Sequence, residues 1–511
     1  MTFRSVLFLR DEDSVRAQRA EVPECLRDLN LDQVIDAMAT DKREYQLKPF
    51  FYTPLRDSEA ITYRQEIMRD LEDETLVRSL VAFAEKMRMM RRYQALTEQA
   101  HFRYHKEGWF LETVMVYVEA VTGLARDLTA TDLTSQGLSA FCVSLMAYTN
   151  SNAFCALQAE TEKLKNRLSA VRYCVRIKDR RVTVSPYQGE VDYSVEVERT
   201  FEKFRQGTVK DYRSELTLPA GMSHVEAQML TYVAKLHPDV FQALDDYYAR
   251  NADFLHRAIS VFDQEIQFYI AYLDYIRQLK QARVQFCYPQ VIRRSKEVYA
   301  YEAVDLALAK KAIAGGEPLV PNDFHLTGQE RIIVISGPNQ GGKTTFARMF
   351  GQLHYLACLG CPVPGSRAQL QLSDRIFTHF ERREHIENLR GKLQDDLLRI
   401  HEIVSRATDD SVIILNEIFT STTHEDAAFL SKQIMHRIFH IDLFCVWVTF
   451  IEELASYSEK TVSMVSTVDS ENPTLRTYKI LRRPADGLAY AMSIVRKHRL
   501  TYDLLKERVK L

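Results

Sequence analysis

Arg331-Ile332-Ile333-Val334-Ile335 runs through Ser336 into Gly337-Pro338-Asn339-Gln340-Gly341-Gly342-Lys343-Thr344, and the stretch Thr345 to Cys358 after it suits a helix. The spacing satisfies GxxxxGK[ST] in a strand–loop–helix setting, where the pattern has a physical meaning. Glycines let backbone N–H groups converge on phosphate oxygens, and the helix N-terminus adds partial positive charge. Lys343 is positioned to reach terminal phosphates, and the Thr344 hydroxyl to reach Mg²⁺. An α/β nucleotide-binding domain follows from these residues alone.

Working outward, short apolar runs alternate with helical segments after Pro289: Ile332–Ile335, Val412–Leu415, Phe444–Val448 and Val462–Val465. That alternation predicts a sheet flanked by helices, with ligands at strand ends. About seventy residues beyond the loop, Ser411-Val412-Ile413-Ile414-Leu415 ends at Asn416-Glu417. A buried strand ending in polar side chains beside a phosphate loop suits metal and water handling. Asn416 and Thr344 are the metal candidates, and Glu417 is the candidate to orient an attacking water or accept its proton.

Toward the N-terminus the character is helical. No proline occurs from Arg56 to Ser185, and neither proline nor glycine from Asp239 to Tyr288, which permits long uninterrupted helices. Leu255, Ile259, Phe262, Ile266, Tyr269, Leu273 and Ile276 mark one apolar stripe, either a core-facing side or a lever carrying motion. Between the helical blocks, Arg172–Lys178 and Arg181–Val184 alternate in polarity around Asp179-Arg180 and predict a short hairpin. Lys163, Lys165, Arg167, Arg172, Arg176, Lys178, Arg180 and Arg181 crowd this region. They form either a grip on nucleic-acid phosphates or a solvated charged face. The division expected is 1–165 helical core and lever, 166–220 basic hairpin, 221–288 further lever helices, and 289–511 the nucleotide domain.

Composition narrows the remaining classes. The 511 residues are 46% hydrophobic, enough for two or three cores, and 67 basic against 69 acidic groups leave net charge silent about partners. Only Val6 to Leu9 is apolar before Asp11-Glu12-Asp13, too short for a signal-peptide core, and no run suffices to span a membrane. A cytoplasmic location with reduced cysteines and no membrane partner is the expectation. Cys358-Leu359-Gly360-Cys361 lacks a second ligand pair, so it is read as structural, and neither HExxH nor GxSxG is present.

The loop Gly-Pro-Asn-x-Gly-Gly-Lys-Thr resembles the MutS family's version. So do Pro318-Leu319-Val320-Pro321-Asn322-Asp323 ahead of it, Cys361-Pro362-Val363-Pro364 and Asp374-Arg375-Ile376-Phe377-Thr378 after it, and Asn416-Glu417-Ile418 with Thr422-Thr423. The similarity is best from about Leu273 to Leu511. It implies a multidomain chain: a mostly helical core and lever region with a small clamp-like β-hairpin insertion, then an α/β P-loop domain of the ABC type. It implies an ATPase using ATP and Mg²⁺, with DNA as partner and a homodimer formed through the ATPase domain. By resemblance, Leu319 and Val320 contact the adenine, Tyr478 stacks on it, and Gly337 to Thr345 hold the phosphates.

The same comparison exposes departures. Asn416 stands where the family has aspartate, and Gly391 in Leu389-Arg390-Gly391-Lys392 where it has a serine reaching the partner's nucleotide. Thr449-Phe450 replaces Thr-His at the end of a strand. Full-length members begin with a mismatch-reading domain and a connector, for which the chain leaves no room ahead of its helical region, and no Phe-x-Glu reader is found. The leading expectation is a DNA-associated ATPase whose nucleotide state moves helical arms. The alternatives are a weakly hydrolysing nucleotide switch or scaffold, and an ATPase acting on branched DNA or structured RNA.

Overall fold

The computed structural model describes residues 3–179, 181–190, 221–293, 297–381, 391–469 and 475–485. Two compact units divide the chain, one of residues 1–4, 73–133 and 138–263, the other of residues 5–72, 134–137 and 264–511. Both are discontinuous in sequence, whereas the sequence-based division used consecutive segments. Residues 5–72 belong with the second unit through contacts such as the buried cluster of Leu55, Ala60, Ile61, Cys358 and Leu372, and through the Leu55 amide bonding the Cys358 carbonyl at 2.7 Å.

The first unit is helical. Glu74–Gln99 and Arg103–Thr129 pack against each other, followed by Asn152–Ser169, His224–Leu236 and Pro238–Arg250. Ser223 and Glu226 form a reciprocal capping box at the start of His224–Leu236, satisfying donors the helix itself cannot. The long proline-free runs are nonetheless interrupted. Pro238–Arg250 stops at Asn251, whose side-chain amide bonds the Tyr247 carbonyl at 3.0 Å, and the next helix starts only at Arg257. Absence of proline permits a helix without requiring one, and an asparagine bonding its own last turn ends it.

The apolar stripe falls on the helix Arg257–Gln281, apart from Leu255, which precedes it. Ile259, Phe262, Ile266, Tyr269, Leu273 and Ile276 are buried, but so are Phe268, Tyr272 and Tyr275. The second half of this helix is thus enclosed nearly all round, as a core helix is. The Tyr269 hydroxyl bonds the Val6 carbonyl at 2.6 Å, which meets the polar requirement of a buried tyrosine.

Fourteen strands are found among the described residues. The first pair, β1 (Tyr173–Lys178) and β2 (Arg181–Pro186), is an antiparallel hairpin in the first unit. The second unit holds β3 (Phe286–Cys287), β4 (Gln290–Ile292), β5 (Val298–Ala303), β6 (Asn322–Leu326), β7 (Ile332–Ser336), β8 (Val363–Pro364) and β9 (Arg367–Gln371). There follow β10 (Ile376–Phe380), β11 (Val412–Asn416), β12 (Phe444–Val448), β13 (Thr461–Val468) and β14 (Arg476–Arg482).

The main sheet has the order β10-β11-β12-β7-β13-β14, parallel except for the antiparallel edge strand β14. Helices Lys343–Cys358, Lys392–Arg406 and His424–Ile441 make connections between its parallel strands, which need crossovers. Ile332, Val334, Ile413, Leu415, Cys445 and Trp447 face one buried cluster. On the other face, Ile414 Cδ1 lies so close to Gly351 that a Cβ there would meet it at 2.4 Å. With both faces covered, strands read as continuous apolar runs, each buried Ile or Leu contributing on the order of 1.5–3 kcal/mol. A second sheet, β4-β9-β5-β6, stands beside it. Among the described residues, no helix is long and apolar enough to cross a membrane, and no group of three or more His, Cys, Asp or Glu side chains could hold a metal ion.

Candidate nucleotide site

The loop begins where β7 ends, between β12 and β13. Gly337 has φ +110°, and a Cβ there would lie 2.9 Å from the Ser466 carbonyl oxygen. At Gly341 a Cβ would lie 2.1 Å from Ser466 Oγ, which donates to the Gly341 carbonyl at 2.7 Å. Both glycines are therefore demanded by the close approach of β13, and Ser466 is a contributor that the motif does not announce.

Lys343 opens the helix Lys343–Cys358 and is only 4% exposed. Its Nζ donates to the Gly337 carbonyl at 2.8 Å and to Asn339 Oδ1 at 3.3 Å, lies 3.7 Å from Glu417 Oε1, and sits 4.4 Å from the centre of the Phe450 ring. Burial lowers the pKa of the ammonium, and the neighbouring Glu417 carboxylate partly offsets that. Glu417 itself occupies the left-handed region at φ 53°, strain of a kind that collects where a side chain must be aimed.

Thr344 Oγ1 donates to Asn416 Oδ1 at 2.9 Å across the end of β11. The two oxygens suit a hard cation in kind, but both are neutral where a carboxylate would bring charge. A cavity of about 610 Å³ opens above them. Phosphate-loop residues Asn339, Gln340, Gly342, Lys343, Thr344 and Thr345 line it with Glu417. Leu319, Val320 and Tyr478 line it too, joined by Leu308, Ala312, Glu317, Pro318 and Asn322. Gly337, Pro338, Gly341 and Asn416 form the support behind this lining. Leu308 and Ala312 carried no sequence signal, since they come from a helix, Leu306–Gly315, that precedes the motif region.

The remaining candidates lie elsewhere. Gly391 is the N-cap of Lys392–Arg406, with open space where its Cβ would stand, and Lys392 bonds Glu381 and Thr420 within the chain. Cys358 and Cys361 are buried, and burial raises both thiols, which keeps them unreactive. In the hairpin, the register places Arg176, Lys178 and Arg181 on one face with Cys174, Thr183 and Ser185. The opposite face carries Tyr173, Val175, Ile177, Val182, Val184 and Pro186, so polarity is sorted by side. Asp179 takes φ 48° at the turn, and Arg180 lies outside the described residues. Arg172 immediately precedes β1, and Arg176 pairs with Glu190 at 3.2 Å.

Comparison with known sequences now decides the lineage. The model of MutS domain V matches residues 333–507, spanning the loop, β11 and β14, and that of the MutS2 N-terminal domain matches residues 56–282. The chain belongs to the MutS family. Its relatives include the DNA mismatch repair protein MutS of Chlorobium phaeovibrioides, 27% identical over 270 residues, 51% of this chain and 30% of that protein. MutS of Erythrobacter litoralis is 30% identical over 184 residues, 34% of this chain and 21% of that one. MutS of Chloroflexus aurantiacus is 26% identical over 256 residues, 49% and 24% respectively. The match thus takes in less than a third of each MutS relative's length.

Proposed function

We propose that this MutS-family chain binds ATP with Mg²⁺ in the 610 Å³ cavity and hydrolyses it slowly, the nucleotide state setting affinity for nucleic acid. The observation that carries this reading is the meeting, in one cavity, of Lys343, Thr344 and Glu417 with Leu319, Val320 and Tyr478. The first group suits a polyphosphate and the second a flat aromatic base, which gives the cavity a phosphate end and a base end on this reading.

Lys343 turns its ammonium from the Gly337 carbonyl to the terminal phosphates, and backbone amides of the loop orient their oxygens. Thr344 and Asn416 would hold Mg²⁺, which when bound would supply charge to offset that of the phosphates. Glu417 positions a water in line with the terminal phosphorus and takes its proton. As the water oxygen bonds to phosphorus, the bridging P–O bond breaks and ADP leaves with the electron pair. Asn416 in place of a carboxylate and Phe450 over Lys343 are the observations favouring slow turnover, and in the limit a nucleotide-binding switch.

Phosphates of DNA or of structured RNA would lie along the basic side of the hairpin, where Arg172, Arg176, Lys178 and Arg181 gather. Dimerisation through the ATPase domain completes the proposal. The test is one titration of purified protein, following Mg²⁺-dependent ATP turnover and binding to duplex, junction and RNA at stated salt. Turnover that responds to nucleic acid supports the ATPase, and binding of ATP without turnover supports the switch. Charge reversal at Arg176, Lys178 and Arg181 should weaken binding and flatten its salt dependence by roughly one slope unit for each phosphate no longer neutralised. An unchanged slope would make the hairpin a solvated face.

A further inference from the structure

The base end of the cavity is shaped by an irregularity in the edge strand. Between Ser466↔Ile480 and Val468↔Arg476, β13 advances two residues (466 to 468) while β14 advances four (476 to 480). The excess lies at Thr477 to Lys479, and Tyr478 there takes φ 57°. A residue with a Cβ disfavours that conformation, and bulges of this kind re-aim a side chain. Something must hold it.

Asn322, the first residue of β6 and 9% exposed, stands against the bulge. Its Nδ2 donates to the Tyr478 carbonyl at 3.1 Å and lies 3.4 Å from the Val320 carbonyl. Its Oδ1 accepts the Ile480 amide at 2.8 Å. Donating to residue 478 and accepting from residue 480 is the pattern with which a parallel neighbouring strand would flank residue 479. The carboxamide thus does the work of a peptide group for a stretch of edge strand that no neighbour pairs here. Lys479 adds a bond to the Pro321 carbonyl, and the Tyr478 backbone packs against Gly342 of the phosphate loop, where a Cβ would be 3.6 Å from its oxygen.

We propose that Asn322 is the positioning residue of the base subsite: its carboxamide holds the bulge and thereby fixes the Tyr478 ring against the base of the bound nucleotide. This rests on the reading of the cavity as an ATP site. Asn322 bonds the backbone on both sides of residue 479, so the contribution proposed for it passes through Tyr478 and should vanish when that ring is gone, whereas a contact of its own with the nucleotide, whose cavity it borders, would survive. The phosphates are held by the loop, which the bulge meets at Gly342, so tripolyphosphate affinity reports whether loosening the bulge reaches them.

The experiment measures affinities for ATP and for inorganic tripolyphosphate on the same samples. The proteins are the full chain and its Asn322→Ala, Asn322→Asp, Tyr478→Ala and Asn322→Ala/Tyr478→Ala variants, with melting curves alongside. Asn322→Asp keeps the shape but sets a carboxylate oxygen against two carbonyls. Both Asn322 variants should bind ATP about tenfold more weakly, the scale of one lost aromatic stack, while tripolyphosphate affinity stays within about twofold of the parent. Added to Tyr478→Ala, the Asn322→Ala change should weaken ATP by less than about twofold. Unchanged ATP affinity in both Asn322 variants overturns the proposal. So does equal loss of both ligands in Asn322→Asp, or the same ATP loss with and without the tyrosine ring. A parent that binds neither ligand overturns the ATP reading itself, and one that binds both equally well overturns the base subsite alone.

Discussion

The two ends of the cavity differ in how they are made. At the phosphate end of the proposed site the side chains converge from the loop after β7 and the helix it opens, the end of β11 and the segment after β12, and there the chain departs from the motif it resembles: Asn416 for aspartate, Phe450 for histidine. At the proposed base end Leu319, Val320 and Tyr478 line the cavity, and Asn322 hydrogen-bonds the Tyr478 carbonyl. On the proposed reading, holding a nucleotide and cleaving it fall to separate residues, and each can be altered alone.

The largest expected effect separates the two functions. Glu417→Gln should cut turnover by about 10³-fold, within the range for a general base, while ATP binding survives; unchanged hydrolysis in that variant would remove Glu417 from the mechanism. Next, Lys343→Ala should weaken ATP by about a hundredfold through the absence of its charged bonds to phosphate, read by equilibrium binding with Mg²⁺ present. If binding persists at parental strength, the phosphate end has been misassigned. Asn416→Asp restores a charged ligand beside Thr344 and should raise Mg²⁺ affinity about tenfold, with turnover rising alongside. A fall in both would show that the amide is an adaptation of this chain.

The last effect lies away from the cavity and serves as its control. Glu265 is buried, its oxygens accepting from Ser5 Oγ at 2.8 Å and the Val6 amide at 2.9 Å, and burial pushes its carboxyl up to about 7. A carboxyl raised in the folded state favours folding while protonated. Its contribution is complete below the unfolded value near 4.3 and is lost as pH climbs through about 7. Denaturant titrations between pH 5 and 8 should therefore show stability falling by an amount on the order of 1–3 kcal/mol relative to Glu265→Gln. Nucleotide affinity should not follow the same curve.

Much of the site was legible because its signals are local. The glycines and Lys343 sit within eight residues of one another, and a strand buried on both faces leaves an apolar run that needs no partner to be noticed. Asn322 falls inside a recognisable motif, yet its role depends on Tyr478 and Ile480, separated from it by more than 150 positions. Phe450 was visible as a missing histidine, whereas its ring contact with Lys343 required the fold. Asn251 ended a helix in a stretch without proline or glycine, because a side chain can cap a terminus that composition leaves open. The placement of residues 5–72 beside the C-terminal sheet had no local mark at all.

The position of β7 has one more consequence. Its residues Ile332 to Ile335 are paired with β12 on one side and β13 on the other, and all four are fully buried. In hydrogen–deuterium exchange these amides should open only with global unfolding, whereas those from Gly337 onward exchange through local fluctuation. The boundary between slow and fast amides would then fall within two residues, Ile335 to Gly337.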